Sequence, residues 1–308
     1  MIYIMSGAYK MSEKPARRLP EIGGLIALIK PITWFPPMWA YLCGLVSSGQ
    51  PLAAHWVLAV LGLLLAGPIV CGMSQAANDW ADRHVDAINE PNRPIPSGRV
   101  TEGWGLGVAV VMSAIALLVG AQLGSYGLLA TMLAVLAAWA YSVEPFRLKR
   151  SGLWGPGLVG LSYETLPWIT GAVVLRDAIP PAAILSVATL YGLGAYGIMI
   201  LNDFKARDGD KIMGLKSLPV TMGPDRAARI ACTVMVVPQL AVVGLLLAWG
   251  HAGHAGAVFT LVALQGWAMR ILLRNPEDKA PWFNATGVLF YISGMMIAAL
   301  ALRLDAGV

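Results

Sequence analysis

Charge is what this chain has least of. Only 13% of its 308 residues are Asp, Glu, Lys or Arg, where a soluble domain carries about 25%. That deficit excludes an ordinary soluble globule. With a mean hydropathy of +0.66 and long apolar runs, it indicates a polytopic membrane protein in contact with a lipid bilayer. Cysteine is scarce. Cys43, Cys71 and Cys232 lie in or near apolar segments, have no metal-ligand spacing and imply no disulfide framework. Lys10, Lys14, Arg17 and Arg18 have no apolar core before them, so residues 1–21 are expected to form a basic tail rather than a cleavable signal peptide. The net charge of +5 comes without a recognition motif, and no nucleic acid is expected as a partner.

What is there is mostly helix for a bilayer. Hydropathy predicts nine spans, at roughly 25–48, 55–77, 103–122, 124–142, 153–175, 180–201, 227–249, 255–273 and 283–303. Each is near the ~20 residues needed to cross. The fold class is therefore all-α, a single transmembrane domain over residues 22–308. Its two diverged halves run from about 22 to 150 and from 151 to 308. Pro31, Pro36 and Pro37 interrupt the first span, which predicts a bent or late-starting helix behind a short interfacial piece ending at Lys30.

Basic residues set the orientation. The connections after spans 2, 4, 6 and 8 hold Arg83, Arg93, Arg99, Arg147, Lys149, Arg150, Lys205, Arg207, Lys211, Lys216, Arg226, Arg274 and Lys279, whereas those after the odd-numbered spans hold only Arg176. The Lys/Arg excess marks the even-numbered loops and the N-terminus as cytoplasmic, and nine spans put the C-terminus on the other side.

Two of those loops share a pattern. Asn78-Asp79 is followed by Asp82 and Asp86, and Asn202-Asp203 by Asp208 and Asp210; six of the chain's 17 acidic residues fall in these two nonapeptides. On a helix Asp79, Asp82 and Asp86 form one stripe, with Asn78 one turn before Asp82. Gly209 is expected to end the second helix. Carboxylates this close repel unless a cation holds them together. Oxygen ligands of this kind suit Mg²⁺, which takes one or two carboxylates and fills its shell with water and substrate phosphate. Transition metals are disfavoured, because His84 is the one nearby His or Cys. Arg93, Arg99, Arg147, Lys149, Arg150, Lys211 and Lys216 on the same face suit a metal-bound polyphosphate better than a bare cation, although any cytoplasmic loop is basic. Ionisation of an allylic diphosphate fits this set, the resulting carbocation being shielded by Met, Trp and Leu of a bundle core.

At this point the residues resemble a known family. Lys30-Pro31-Ile32-Thr33-Trp34-Phe35-Pro36-Pro37, the run from Asn78 to Arg99, Tyr141 to Gly157, Tyr163 to Trp168, and Asn202 to Pro219 together resemble the UbiA-type intramembrane prenyltransferases, in their chlorophyll and bacteriochlorophyll synthase branch. The resemblance implies a nine-helix bundle around a central cavity capped by cytoplasmic loops. It maps the family's first motif onto Asn78, Asp82 and Asp86. It maps the second onto a run ending at Asp210, with Ala206 where many relatives carry Asp and with Asp203 and Asp208 as substitutes. It implies Mg²⁺ as cofactor, catalytic roles for Asp82, Asp86, Asp203 and Asp210, and Asn78, Asp79 and Asp208 as further metal ligands. Diphosphate contacts fall to Tyr141, Lys149 and Arg150. The implied partners are geranylgeranyl or phytyl diphosphate and bacteriochlorophyllide or chlorophyllide, in a bacterial inner or photosynthetic membrane. The acceptor is a carboxylic acid, already ionised at neutral pH, which accounts for the want of an obvious general base.

Other residues carry weaker readings. Glu164, in the middle of span five, orients the acceptor, pairs with a cation, or makes a structural hydrogen bond. His251 and His254 are ordinary loop histidines or ligands of the pigment's magnesium. Trp34, Trp39, Trp56 and Trp104 fit an aromatic belt, and Met295-Met296 fits core packing. Two rival functions are a quinone or haem prenyltransferase, which the Asn89–Gly98 run argues against, and a secondary transporter. A transporter would place its acids near the midplane rather than at one edge.

Overall fold

The structure, a computed structural model, describes residues 19–305 except residue 213. The basic tail thus lies outside the described residues save for its last three. Fourteen α-helices run in chain order: α1 (Ile22–Ile29), α2 (Phe35–Ser47), α3 (Trp56–Leu64), α4 (Gly72–Asn89), α5 (Glu102–Gln122), α6 (Gly124–Ser142), α7 (Trp154–Gly160), α8 (Leu166–Arg176), α9 (Ala182–Asn202), α10 (Arg207–Ile212), α11 (Leu218–Met222), α12 (Pro224–Ala248), α13 (Ala252–Leu272) and α14 (Pro276–Asp305). No β-strand occurs among the described residues. Among the described residues, eight helical units are long and apolar enough to cross a membrane.

The predicted first span is the ninth, and it is broken as its prolines require. α1 stops at Lys30, a 3₁₀ turn follows over Pro31–Thr33, and α2 starts with Pro36 and Pro37 in its first turn, where a missing N–H costs nothing. Two crossing helices contain a π-helical stretch, Leu65–Cys71 between α3 and α4 and Leu161–Thr165 between α7 and α8. Pro68 lies in the first, which accounts for the lost α-helical bond there.

The second span is longer than its apolar part. The helix runs from Leu52 to Asn89, so the first acidic stripe stands on helix rather than loop. The second motif differs. α9 ends at Asn202, a 3₁₀ turn covers Asp203–Ala206, and α10 carries Asp208 and Asp210. Gly209 sits inside α10, not at its end, because the break comes earlier, at the 3₁₀ turn.

Two cores share the middle helices. One gathers α4, α5 and α6 around Met73, Ala76, Ala109 and Val135, and takes Val173 and Val174 from α8. The other gathers α9, α12, α13 and α14 around Val187, Tyr191, Val242 and Tyr291, and takes Ala40, Cys43 and Val46 from α2. Where α2 crosses α8 the backbones nearly touch. A Cβ on Gly44 would stand 2.0 Å from the Trp168 carbonyl oxygen, and one on Gly171 2.3 Å from that of Tyr41. Bilayer helices associate through such small-residue contacts, since lipid offers no hydrophobic drive. Trp168 stacks on Tyr191 at 5.7 Å and donates its indole N–H to Ser47. All three cysteines are free and buried, as expected.

Candidate active site

A chamber of about 540 Å³ opens inside the bundle. Its mouth is lined by Asn78 at the stem of the first motif, Asn202 at the stem of the second, Tyr141 and Asn284. Asn284 donates to Asn202 at 2.8 Å. Tyr141 lies within electrostatic reach of Asp82, Asp203 and Asp210 together. A Cβ on Gly209 would stand 3.7 Å from the Asn89 amide, so α10 abuts the end of α4. The connecting loops also meet, through a parallel bridge between Ser151 and Lys216. Both acidic motifs therefore cap one chamber at one end of the bundle.

The first stripe is held by cations from three other segments. Asp79, 1% exposed, accepts from Lys30 at 2.7 Å and Arg93 at 3.3 Å. Arg93 also bonds Asp86 at 2.9 Å and Glu90 at 2.5 Å. Asp82 faces another way and accepts from Arg147 at 2.9 Å and Lys149 at 2.5 Å. The stripe is thus divided between two sets of partners rather than closed into a cage. Among the described residues, no three His, Cys, Asp or Glu side chains converge as a preformed metal site. Lys30 and Arg147 are two of the three non-glycine residues with left-handed backbone among the described residues, at φ 44° and 37°. That conformation costs energy and concentrates at functional sites.

Electrostatics follow from this packing. Burial lowers the pKa of the Lys149 ammonium, while the Asp82 carboxylate beside it pulls the other way. Burial would also lower that of Arg93, but its bond to Glu90 and the charges of Asp79 and Asp86 more than offset this and raise it. Arg93 is a permanent cation.

The second motif is unlike the first. Asp210 is 8% exposed and Asp203 is half-buried within electrostatic reach of it. Among the described residues neither has a Lys or Arg within ion-pair distance. Two neighbouring acids without a counter-ion, within electrostatic reach of the same tyrosine as Asp82, supply carboxylate oxygens of the kind that fits a hard divalent cation; the Oδ2 of Asp79 in the first motif is also buried and unpartnered.

Several predicted residues stand elsewhere. Asp208 is exposed; on α10 it faces away from buried Asp210. Arg99 bonds the Asn92 carbonyl and Ser97, and Arg150 pairs with Glu144 at 2.8 Å. Lys211 and Lys216 are exposed and make no ion pair among the described residues. Charge in a loop reveals its side of the membrane but not where a long side chain is aimed. Three site residues were missed: Lys30, Asn284 and Gln75. Lys30 carried one signal, a cation just before the proline break.

Deeper in the chamber, Gln75 donates to the Tyr163 hydroxyl at 3.1 Å, and Cys71 contacts that hydroxyl at 3.3 Å. Glu164 lines the wall beside them. His251 is held by Asp305 at 2.9 Å at the far end of the bundle, distant from the chamber mouth.

Comparison with known proteins agrees with this architecture. The bacteriochlorophyll synthase 33 kDa chain of Rhodobacter capsulatus is 61% identical over 293 residues, which is 94% of this chain and 96% of the relative. The chloroplast chlorophyll synthase of Arabidopsis thaliana is 35% identical, covering 90% of this chain and 73% of its own. The structure of a UbiA homolog from Archaeoglobus fulgidus bound to DMAPP and Mg²⁺ superposes with a TM-score of 0.67 at 18% identity, over 89% of this chain and 99% of that one. Residues 33–295 match the model of the UbiA prenyltransferase family; the chain belongs to that family.

Proposed function

We propose that the protein transfers a geranylgeranyl or phytyl group from its diphosphate to the propionate carboxylate of bacteriochlorophyllide or chlorophyllide. The observation that carries this is the pair of acidic motifs closing one apolar chamber, in a chain 61% identical to a bacteriochlorophyll synthase. The allylic C–O bond breaks, and the electron pair leaves with the diphosphate. A carboxylate oxygen then bonds the allylic carbon, giving an ester and free diphosphate. No proton is removed, because the acceptor is already an anion.

The residues divide the work. Asp82, Asp86, Asp203 and Asp210, with Asn78 and Asp79, would hold Mg²⁺; exposed Asp208 stands outside that set. When bound, Mg²⁺ neutralises charge developing on the departing diphosphate. Lys149, Arg93 and Arg147, paired with the acidic stripe here, would meet the same oxygens from the protein side, and Tyr141 offers a hydroxyl at the mouth. The apolar wall of Pro37, Val70, Ala134, Leu158 and Val288 keeps water from the allylic cation. The Lys/Arg-rich connections support a mouth that faces the cytoplasm, in a bacterial cytoplasmic or photosynthetic membrane.

The test uses membranes containing the protein, both pigments and both donors, with the product identified by mass. EDTA is expected to stop esterification and Mg²⁺ to restore it. Turnover insensitive to chelation, or a prenylated quinone or haem in place of an esterified pigment, contradicts the proposal.

A further inference from the structure

In the deeper part of the chamber, one buried carboxyl oxygen has no hydrogen-bond partner among the described residues. Glu164 is 4% exposed and lines the chamber. Its Oε2 is buried and accepts no hydrogen bond, and among the described residues no ion pair involves it. Its neighbour Tyr163, by contrast, is engaged by Gln75 and Cys71. An unsatisfied buried polar group costs about 1–3 kcal/mol, and an ionisable residue inside a membrane marks function by default. Glu164 also stands on the π-helical stretch Leu161–Thr165. Such bulges recur at functional sites, and here the bulge belongs to the chamber wall.

A ligand can supply the missing partner, and the two substrates differ sharply in what they offer. A prenyl chain is hydrocarbon and forms no hydrogen bond. Its diphosphate belongs at the mouth, among the cations. The acceptor's propionate must also come to the mouth to meet the allylic carbon. What remains for the deeper wall is the body of the macrocycle, whose rim carries carbonyl oxygens. In an apolar wall with no cation, a carboxyl group serves as a neutral O–H donor.

Resting on the acceptor reading above, we infer that Glu164 determines acceptor specificity: its carboxyl donates a hydrogen bond to a carbonyl oxygen on the macrocycle rim and so fixes the depth at which the propionate meets the prenyl group. A site built around a buried hydrogen bond discriminates strongly against ligands that lack the partner.

The experiment compares wild type, Glu164→Leu and Glu164→Gln with a keto-bearing chlorophyllide and with the same pigment after reduction of that carbonyl to an alcohol. Diphosphate release from donor without acceptor serves as the control for an intact mouth. Wild type is expected to prefer the keto pigment. Glu164→Leu is expected to raise acceptor KM about 10- to 100-fold and to lose the preference, with donor KM and acceptor-free diphosphate release unchanged. Glu164→Gln, whose amide donates, is expected to recover most of the affinity. An unchanged acceptor KM in Glu164→Leu overturns the assignment. So does a preference lost between magnesium-bearing and metal-free pigments instead of between keto and reduced ones, which would make Glu164 a metal contact. If wild type esterifies neither pigment, the acceptor reading itself fails, and this assignment falls with it.

Discussion

Asp210→Asn is expected to lower kcat/KM for the prenyl diphosphate by about 10²–10³-fold, the cost of removing one electrostatic group from a transition state that develops charge, while leaving the protein at least as stable as before. The pairing in the structure explains why activity and stability should part. Asp210 has no basic partner among the described residues and lies within electrostatic reach of Asp203. Removing its charge relieves repulsion and leaves no cation stranded. Asp82→Asn is expected to lose as much activity but also some stability, because Asp82 holds Arg147 and Lys149. Thermal unfolding in detergent and steady-state kinetics on both variants separate the two cases. Near-normal turnover in either variant would remove that aspartate from the mechanism. A Tm in Asp210→Asn well below that of wild type would show that its carboxylate is a structural anchor.

Lys149→Met is expected to reduce kcat/KM for the donor by about 10–100-fold, since a hydrogen bond to a charged group contributes roughly 1.5–3 kcal/mol. Lys149 is bound to Asp82 in the structure at 2.5 Å. Asp82 cannot hold both this ammonium and a metal ion with full occupancy of its oxygens. The diphosphate must draw Lys149 away from Asp82 as metal arrives, so donor and metal bind synergistically, and each raises the other's affinity by the same factor. In Lys149→Met that competition is gone. Mg²⁺ affinity measured without donor is expected to rise even as donor affinity falls, and Arg147 remains to keep Asp82 paired. Unchanged donor kinetics would show that Lys149 is only a structural partner of Asp82.

Much of the framework was legible because bilayer physics is read in one dimension. Apolar length predicted the crossing helices, and three prolines predicted the broken first one. The periodic spacing of Asp79, Asp82 and Asp86 predicted a stripe on a helix, and α4 carries it. The partners of that stripe were not legible. Lys30 meets Asp79 across 49 residues, and Lys149 meets Asp82 across 67; no local pattern encodes such pairings. The same limit explains Arg99, Arg150, Lys211 and Lys216, whose side chains turned to other work or to solvent. Gly209 misled for another reason. Its helix-ending propensity was overridden by a 3₁₀ turn that had already broken the chain at Asp203–Ala206. Glu164 stood out in sequence as an intramembrane acid, but that its buried Oε2 lacks a partner among the described residues emerges only from the packed bundle.

The joint ownership of one metal–diphosphate site by residues 78–86 and 202–210 is open to a direct measurement: Mn²⁺ binding to the detergent-purified protein, followed by electron paramagnetic resonance, with and without a donor analogue that cannot ionise. The expected result is tight Mn²⁺ binding only in the presence of the analogue, lost alike in Asp82→Asn and in Asp210→Asn. Wild-type Mn²⁺ binding in either variant would mean that the two segments do not share a ligand, and would contradict the account.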